Sequence, residues 1–341
     1  MFLSGRYRTG SREREKKGEE RLRSEYPDWS LGDFSGYLAA DEIYDGPFCV
    51  LTLVDSRRQR RLAYDVLDHD TEKDDVRRFF KRVALMLSDR RLWLRGVTTD
   101  GSSLYPEPIQ ETFPGVRHQV CEFHVLKEIT RDVLRAVAKI RKALHAQMPR
   151  LGRGRPRREQ TRWARQAQRM RDRIGELFAH RHLFVQRGLS KAEDQTLRQI
   201  SRGHANLRTL RELMTEVYAL FDRRCRTETA LGRLAQLRSK LFRFKGLGTV
   251  LSKLHSPNLD KALTFLDDKN LEATSNSVER ANRRHRKMQK SIYRVRTHTS
   301  LRHRIALDML RDRELEKRPL VVNALRLARH RHPTATALYP D

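Results

Sequence analysis

Three short runs rich in β-branched and aromatic residues follow one another with almost no chain between them: GYLAADEIY from Gly36, PFCVLTLVD from Pro47 and RLAYDVLD from Arg61. Turn signals separate them, at Asp45-Gly46-Pro47 and at the charged SRRQR, so the chain has to reverse twice and the three runs predict an antiparallel meander. Beyond them, Thr71, Glu72 and Asp74 read as a helix start, with Val76, Phe79, Phe80, Val83 and Leu87 recurring on one helical face. WLRGVTTD reads as a fourth strand ending at Asp100, residues 102–112 as a short helix, and VRHQVC as a further strand entered through Pro114 and Gly115. The order β-β-β-α-β-α-β belongs to the α/β class, a mixed sheet with helices on its faces.

After Cys121 the period changes. Leu126, Ile129, Val133, Val137, Ile140 and Leu144 step by three or four, as do Leu207, Leu210, Met214, Val217 and Phe221, and then Leu231, Leu234, Leu237 and Leu241. Residues 126 to about 255 are therefore expected to be helical. PRLGRGRPRRE interrupts them as a Gly/Pro-punctuated basic loop, and Ser190 with Glu193 forms a capping box for a later helix. Trp163, spaced with Met170 and Ile174, reads as a core anchor in preference to a DNA-stacking residue.

The chain of 341 residues carries 72 Lys and Arg against 43 Asp and Glu, a formal net charge of +29. Such an excess predicts a polyanionic partner, because neutralising phosphates releases counterions. It is concentrated in two places: residues 150–173 hold ten Arg against Glu159 and Asp172, and residues 276–304 hold ten Lys and Arg against Glu279 alone. A charged run is ordinarily a solvated face, but these two are nearly unopposed, and phosphate binding is the better account. No run approaches the roughly 20 apolar residues of a membrane span, and the start, MFLSGRYRTGSREREKKGEE, turns charged before a secretory signal can form. Cys49, Cys121 and Cys225 form no C-x-x-C pair, which argues for a reducing compartment without a disulfide framework.

In so basic a chain the acids at strand ends stand out. Asp41 is placed at the end of the first strand and Asp100 at the end of the fourth. Two readings fit: turn or cap residues, or paired carboxylates where neighbouring parallel strands converge, bridged by a hard divalent cation. Glu42 would point to the opposite face, Asp45 belongs to a turn, and Asp55 ends the second strand. Glu279 lies in LEATSNSVERANRRHRKMQ, with Asn276 and Asn282 three residues to either side and Arg283 and Arg286 assigned to the same helical face. It reads as an ion-pair partner, as the second half of a capping box begun by Asn276, or as a metal ligand on a helix whose bases hold DNA.

Taken together, ADEIY, VTTDGSSLYPEPIQETFPGVRHQVCEFHVLKEI and TSNSVERANRR resemble the catalytic region of the DDE transposases of bacterial insertion sequences, within the broad Mutator-like group, over roughly residues 36–310. The resemblance implies a ribonuclease H-like fold interrupted by a large all-α insertion. It implies Asp41, Asp100 and Glu279 as catalytic triad and metal ligands, holding two Mg²⁺ or Mn²⁺ ions for cleavage at transposon ends and strand transfer. It makes Cys121 and His124 the C-x2-H pair, for which a structural role is favoured, since two local ligands fall short of the four a structural zinc needs.

The expected layout is a basic, flexible arm over 1–35, the first part of the core over 36–125, the helical insertion over 126–270, the final core helix over 271–312, and a tail over 313–341. Asn276, Arg280, Arg283, Arg284, Arg286 and Lys287, with Arg153, Arg155, Arg157 and Arg158, are the expected DNA-binding residues. The expected partner is double-stranded DNA, bound by a homodimer or higher oligomer in the cytoplasm, at the nucleoid. Two rivals stand against this: a degenerate remnant that only binds DNA, and a different nuclease of the same fold. Transposases of this kind generally carry a recognition region ahead of the first acid, whereas about 40 residues precede Asp41 here; recognition of the ends is expected to be lost, supplied by the insertion or encoded on a missing segment.

Overall fold

The computed structural model describes residue 20 and residues 25–148, 161–241, 248–290 and 295–331. The three strand-forming runs become β1 (Tyr37–Asp45), β2 (Phe48–Asp55) and β3 (Arg60–Leu67), paired antiparallel in sequence. Gly46, at φ +63°, and Pro47 make the two-residue turn between β1 and β2. A positive φ at the first central position followed by Pro fits a II′ hairpin, whose twist matches the strands. The helix α2 (Lys73–Ser88) follows, then β4 (Gly96–Thr99), α3 (Pro106–Thr112) and β5 (Arg117–Val120). The sheet order is β3-β2-β1-β4-β5. The Gly36 carbonyl accepts hydrogen bonds from the Arg95 and Gly96 amides at 2.8 and 3.3 Å, so β1 and β4 start side by side and run in the same direction.

The chain divides into two compact units, one comprising Met1–Val97, Ser102–Arg117 and Ser275–Asp341, the other Thr98–Gly101 and His118–Thr274. In the first, strand alternation sorts the side chains cleanly. Leu38, Ala40, Leu51 and Leu53 face a core with Val76, Phe79, Phe80, Val83 and Leu87 of α2 and Tyr105, Ile109 and Phe113 of α3. On the other face Val50 and Val66 pack with Leu301, Ile305 and Met309 of the long terminal helix (His298–Arg331), while Ala39 and Val54 pack with Val278.

Two expected boundaries move. The last part of the 1–35 arm is folded: Tyr26–Leu31 form α1, and Tyr26 is 1% exposed with its hydroxyl donating to the Arg61 carbonyl at 2.8 Å. Charge dominates that segment in composition, but Tyr26 and Leu31 supply enough apolar surface to dock one helical turn and more. The boundary set at 312 falls inside the terminal helix, whose backbone continues to Arg331.

The second unit is helical, as the period of its sequence demands: α4 (Glu122–Ala146), α5 (Thr161–Ala179), α6 (Lys191–Ser201), α7 (Ala205–Leu220), α8 (Thr227–Leu241), α9 (Gly248–Leu254) and α10 (Pro257–Lys261). Its core includes Ile129, Val133 and Val137 of α4, Leu207, Leu210, Met214 and Val217 of α7, and Leu234, Leu237 and Leu241 of α8. Ser190 and Glu193 cap α6 reciprocally, as read from the sequence. Trp163 is no core anchor: it is 59% exposed, in the first turn of α5, although it lies on the same helical face as the buried Ala167 and Leu177. The Ser275–Gln289 segment closes into α11 (Asn276–Gln289), and the terminal helix is α12.

Candidate active site

Asp41 sits in the middle of β1, not at its end. Glu42, Ile43 and Tyr44 keep pairing with Leu51, Val50 and Cys49, and this ladder carries the strand four residues beyond Asp41 to the turn. Asp41 pairs across to Thr52, on the face where Ala39 and Val54 meet Val278 of α11. Its neighbour Glu42 points to the opposite face and accepts a hydrogen bond from the Tyr105 hydroxyl, as alternation requires.

Glu279 lies in the first turn of α11. The residue that caps this helix is Ser275, and Asn276 is its first helical residue, contrary to the sequence reading. Ser275 makes no side-chain capping bond; it is fully buried, and its hydroxyl donates to Glu279 Oε1 at 3.0 Å while its carbonyl accepts from the Glu279 amide. A carboxylate in this position also suits the positive end of the helix.

The inward face of α11 is largely polar. Asn282, one turn after Glu279 and 2% exposed, donates from Nδ2 to Asp41 Oδ2 at 2.6 Å. Gln289 donates to Asp45, and His285 Nε2 lies 3.5 Å from the same carboxylate. Burial holds the His285 pKa below its ordinary value, so the ring is neutral at pH 7. A row of directional contacts thus registers α11 against β1, and places the Glu279 helix beside the strand that bears Asp41. The sequence showed the Glu279–Asn282 spacing but not this partner.

Asp100 follows directly on β4 and belongs to the Thr98–Gly101 stretch of the helical unit. The stretch is held on every side: Thr98 Oγ1 donates to the Glu272 carbonyl at 3.0 Å, the Cys121 amide to the Thr99 carbonyl at 2.7 Å, and Asn258 Nδ2 to the Gly101 carbonyl at 2.8 Å. Gly101 has φ +99°, and a Cβ there would come within 3.0 Å of Val120 and 3.2 Å of Asn258, so no other residue fits without strain. Cys121 is the buried N-cap residue of α4, with its Sγ and a ring nitrogen of His124 within 4.8 Å of each other.

The basic residues of α11 divide. Arg283, Arg286 and Lys287 are exposed, as are Asn276 and Arg280; Arg280 donates to Gln59 Oε1 at 2.8 Å. Arg283 is turned away from Asn282, whereas Arg286, four residues on, stays near it at the exposed edge, so the single face drawn from the sequence through Asn282, Arg283 and Arg286 does not hold for Arg283. A residue next to another on a helix is turned by about 100°. Arg284 is committed elsewhere, bonding Asp308 at 3.1 Å and Asp312 of α12. Arg153, Arg155, Arg157 and Arg158 lie outside the described residues. No helix among the described residues is long and apolar enough to cross a membrane.

Comparison with curated proteins and with solved structures returns no significant match. A family model described as a transposase, of the DDE type and named for ISL3, matches residues 41–305, a region that opens on Asp41 and contains Asp100 and Glu279. Since the match covers well over half of the chain, this protein belongs to the ISL3 family of DDE transposases, and DNA is its partner.

Proposed function

We propose that the chain cleaves DNA at transposon ends and joins the freed strand to target DNA, with Asp41, Asp100 and Glu279 as the ligands of paired Mg²⁺ or Mn²⁺ ions. The observation that carries this reading is the Asn282–Asp41 hydrogen bond, which fastens the Glu279 helix to the strand of the first acid. All three carboxylates are partly buried, neither solvated nor sealed. The donor set is carboxylate oxygen, which suits a hard divalent cation better than zinc or copper. The arrangement of strands and helices is compatible with a ribonuclease H-like core.

Bound cations would activate the attacking hydroxyl and stabilise the departing oxygen of an in-line displacement at phosphorus. The protein's own residues have distinct tasks. Ser275 fixes the Glu279 carboxylate, Asn282 fixes that of Asp41, and Asn258 with Gly101 sets the backbone next to Asp100. The exposed Arg283, Arg286 and Lys287 grip phosphates, which sets register without reading bases. Cys121 and His124 shape the start of α4.

The test is Asp100→Asn, assayed on labelled DNA carrying the element's ends with Mg²⁺. Cleavage is lost while DNA affinity is retained or rises. Unchanged cleavage removes Asp100 from the mechanism, and an unmutated chain that binds but never cleaves would favour the DNA-binding remnant.

A further inference from the structure

Asn282 presents two different ends. Its Nδ2 is engaged with Asp41 at 2.6 Å, whereas its Oδ1 is buried and has no hydrogen-bond partner among the described residues. Reversing the amide would set oxygen against the carboxylate, so the hydrogen bond fixes which end faces Asp41. A buried amide oxygen without a donor is costly, and the same face of α11 accepts an apolar residue at Val278. Packing alone therefore gives no reason for an amide.

A hard divalent cation would satisfy that oxygen, since amide carbonyls are ordinary ligands for such ions. A neutral donor also adds no repulsion to the carboxylates nearby. Glu279 and Asn282, three residues apart, share one side of α11. We infer that Asn282 serves the cation site in two ways: its NH₂ holds the Asp41 carboxylate, and its Oδ1 is an additional, neutral oxygen ligand. This rests on the reading of Asp41 as a metal ligand.

The test measures Mn²⁺ binding to the full chain without DNA, by calorimetry or electron paramagnetic resonance, together with the melting temperature with and without Mn²⁺. Asn282→Leu weakens Mn²⁺ binding about tenfold or more, the range found for residues that support a metal site. Asn282→Asp keeps an oxygen ligand but sets a second carboxylate against Asp41, so Mn²⁺ raises its melting temperature more than that of the parent. Unchanged Mn²⁺ affinity in Asn282→Leu, while Asp41→Asn loses it, overturns the role of Asn282 and leaves the cation site standing. Should the Leu variant fail to fold, a Mn²⁺-induced rise in Asn282→Asp no larger than the parent's overturns it equally. Parent-like Mn²⁺ affinity in Asp41→Asn brings down the cation site and this inference together.

Discussion

Arg61 of β3 grips Asp312 of α12 through two nitrogens, Nε at 3.0 Å and Nη2 at 2.6 Å. Its Nη2 also reaches Asp308 at 2.8 Å, and Arg284 of α11 bonds the same two carboxylates. Burial alone would raise the Asp308 carboxyl, but Arg61 and Arg284 hold its pKa below the ordinary value. The Arg61 side chain is 7% exposed, so removing it strands charge in a poorly solvated place. Arg61→Ala is expected to cost about 3–5 kcal/mol, the range for breaking a buried pair on one side, seen as a lower urea midpoint. Arg61→Met combined with Asp312→Leu costs less, because no charge is left without its partner; equal losses would contradict this.

Arg283 and Arg286 test the DNA grip. Replacing both by Ala weakens binding to all sequences alike and makes the plot of log K against log salt shallower by about 0.9 for every phosphate left unneutralised. A filter-binding or anisotropy series across salt concentrations reads both quantities. An unaltered slope would mark this face as merely solvated.

His118 gives the helical unit a pH dependence. Burial pushes its pKa down from 6.5 to about 4, with Nε2 2.9 Å from Thr99 Oγ1. Between those values the unfolded chain binds a proton that the folded chain refuses. The contribution is therefore whole above pH 6.5 and lost progressively as pH falls toward 4, by at most about 3 kcal/mol. His118→Gln should flatten the fall of stability over that window, measured by denaturant titration at a series of pH values. An unchanged profile would assign acid sensitivity to other groups.

Tyr26 tests whether α1 belongs to the fold. Tyr26→Ala removes a side chain that is 1% exposed and bonded to the Arg61 carbonyl, which should cost about 3–5 kcal/mol on the scale of aromatic truncations. If Tyr26→Ala melted with the parent, α1 would be an ornament of the sheet.

The sheet was legible because β-branched runs bounded by Gly, Pro and charged turns admit few other foldings. Asp41's position was less so, since the length of β1 is set by its ladder with β2 and not by its own residues. Near Glu279, the capping-box spacing pointed to Asn276, and the cap falls one residue earlier, at Ser275. The direction in which Asn282 points was hidden for a related reason: its partner lies 241 residues away in the chain. Tyr26 and Trp163 erred in opposite senses, the first judged by the charge around it and the second by helical spacing that served other residues.

The four residues Thr98–Gly101 are fastened by side chains and backbone from Cys121, Asn258 and Glu272. Two of those three anchors, Asn258 and Glu272, come at or near the far end of the helical segment, more than a hundred residues downstream. The segment is thus a scaffold for an acid that precedes it, and not a detachable appendage. Trimming it would pull the supports from under Asp100.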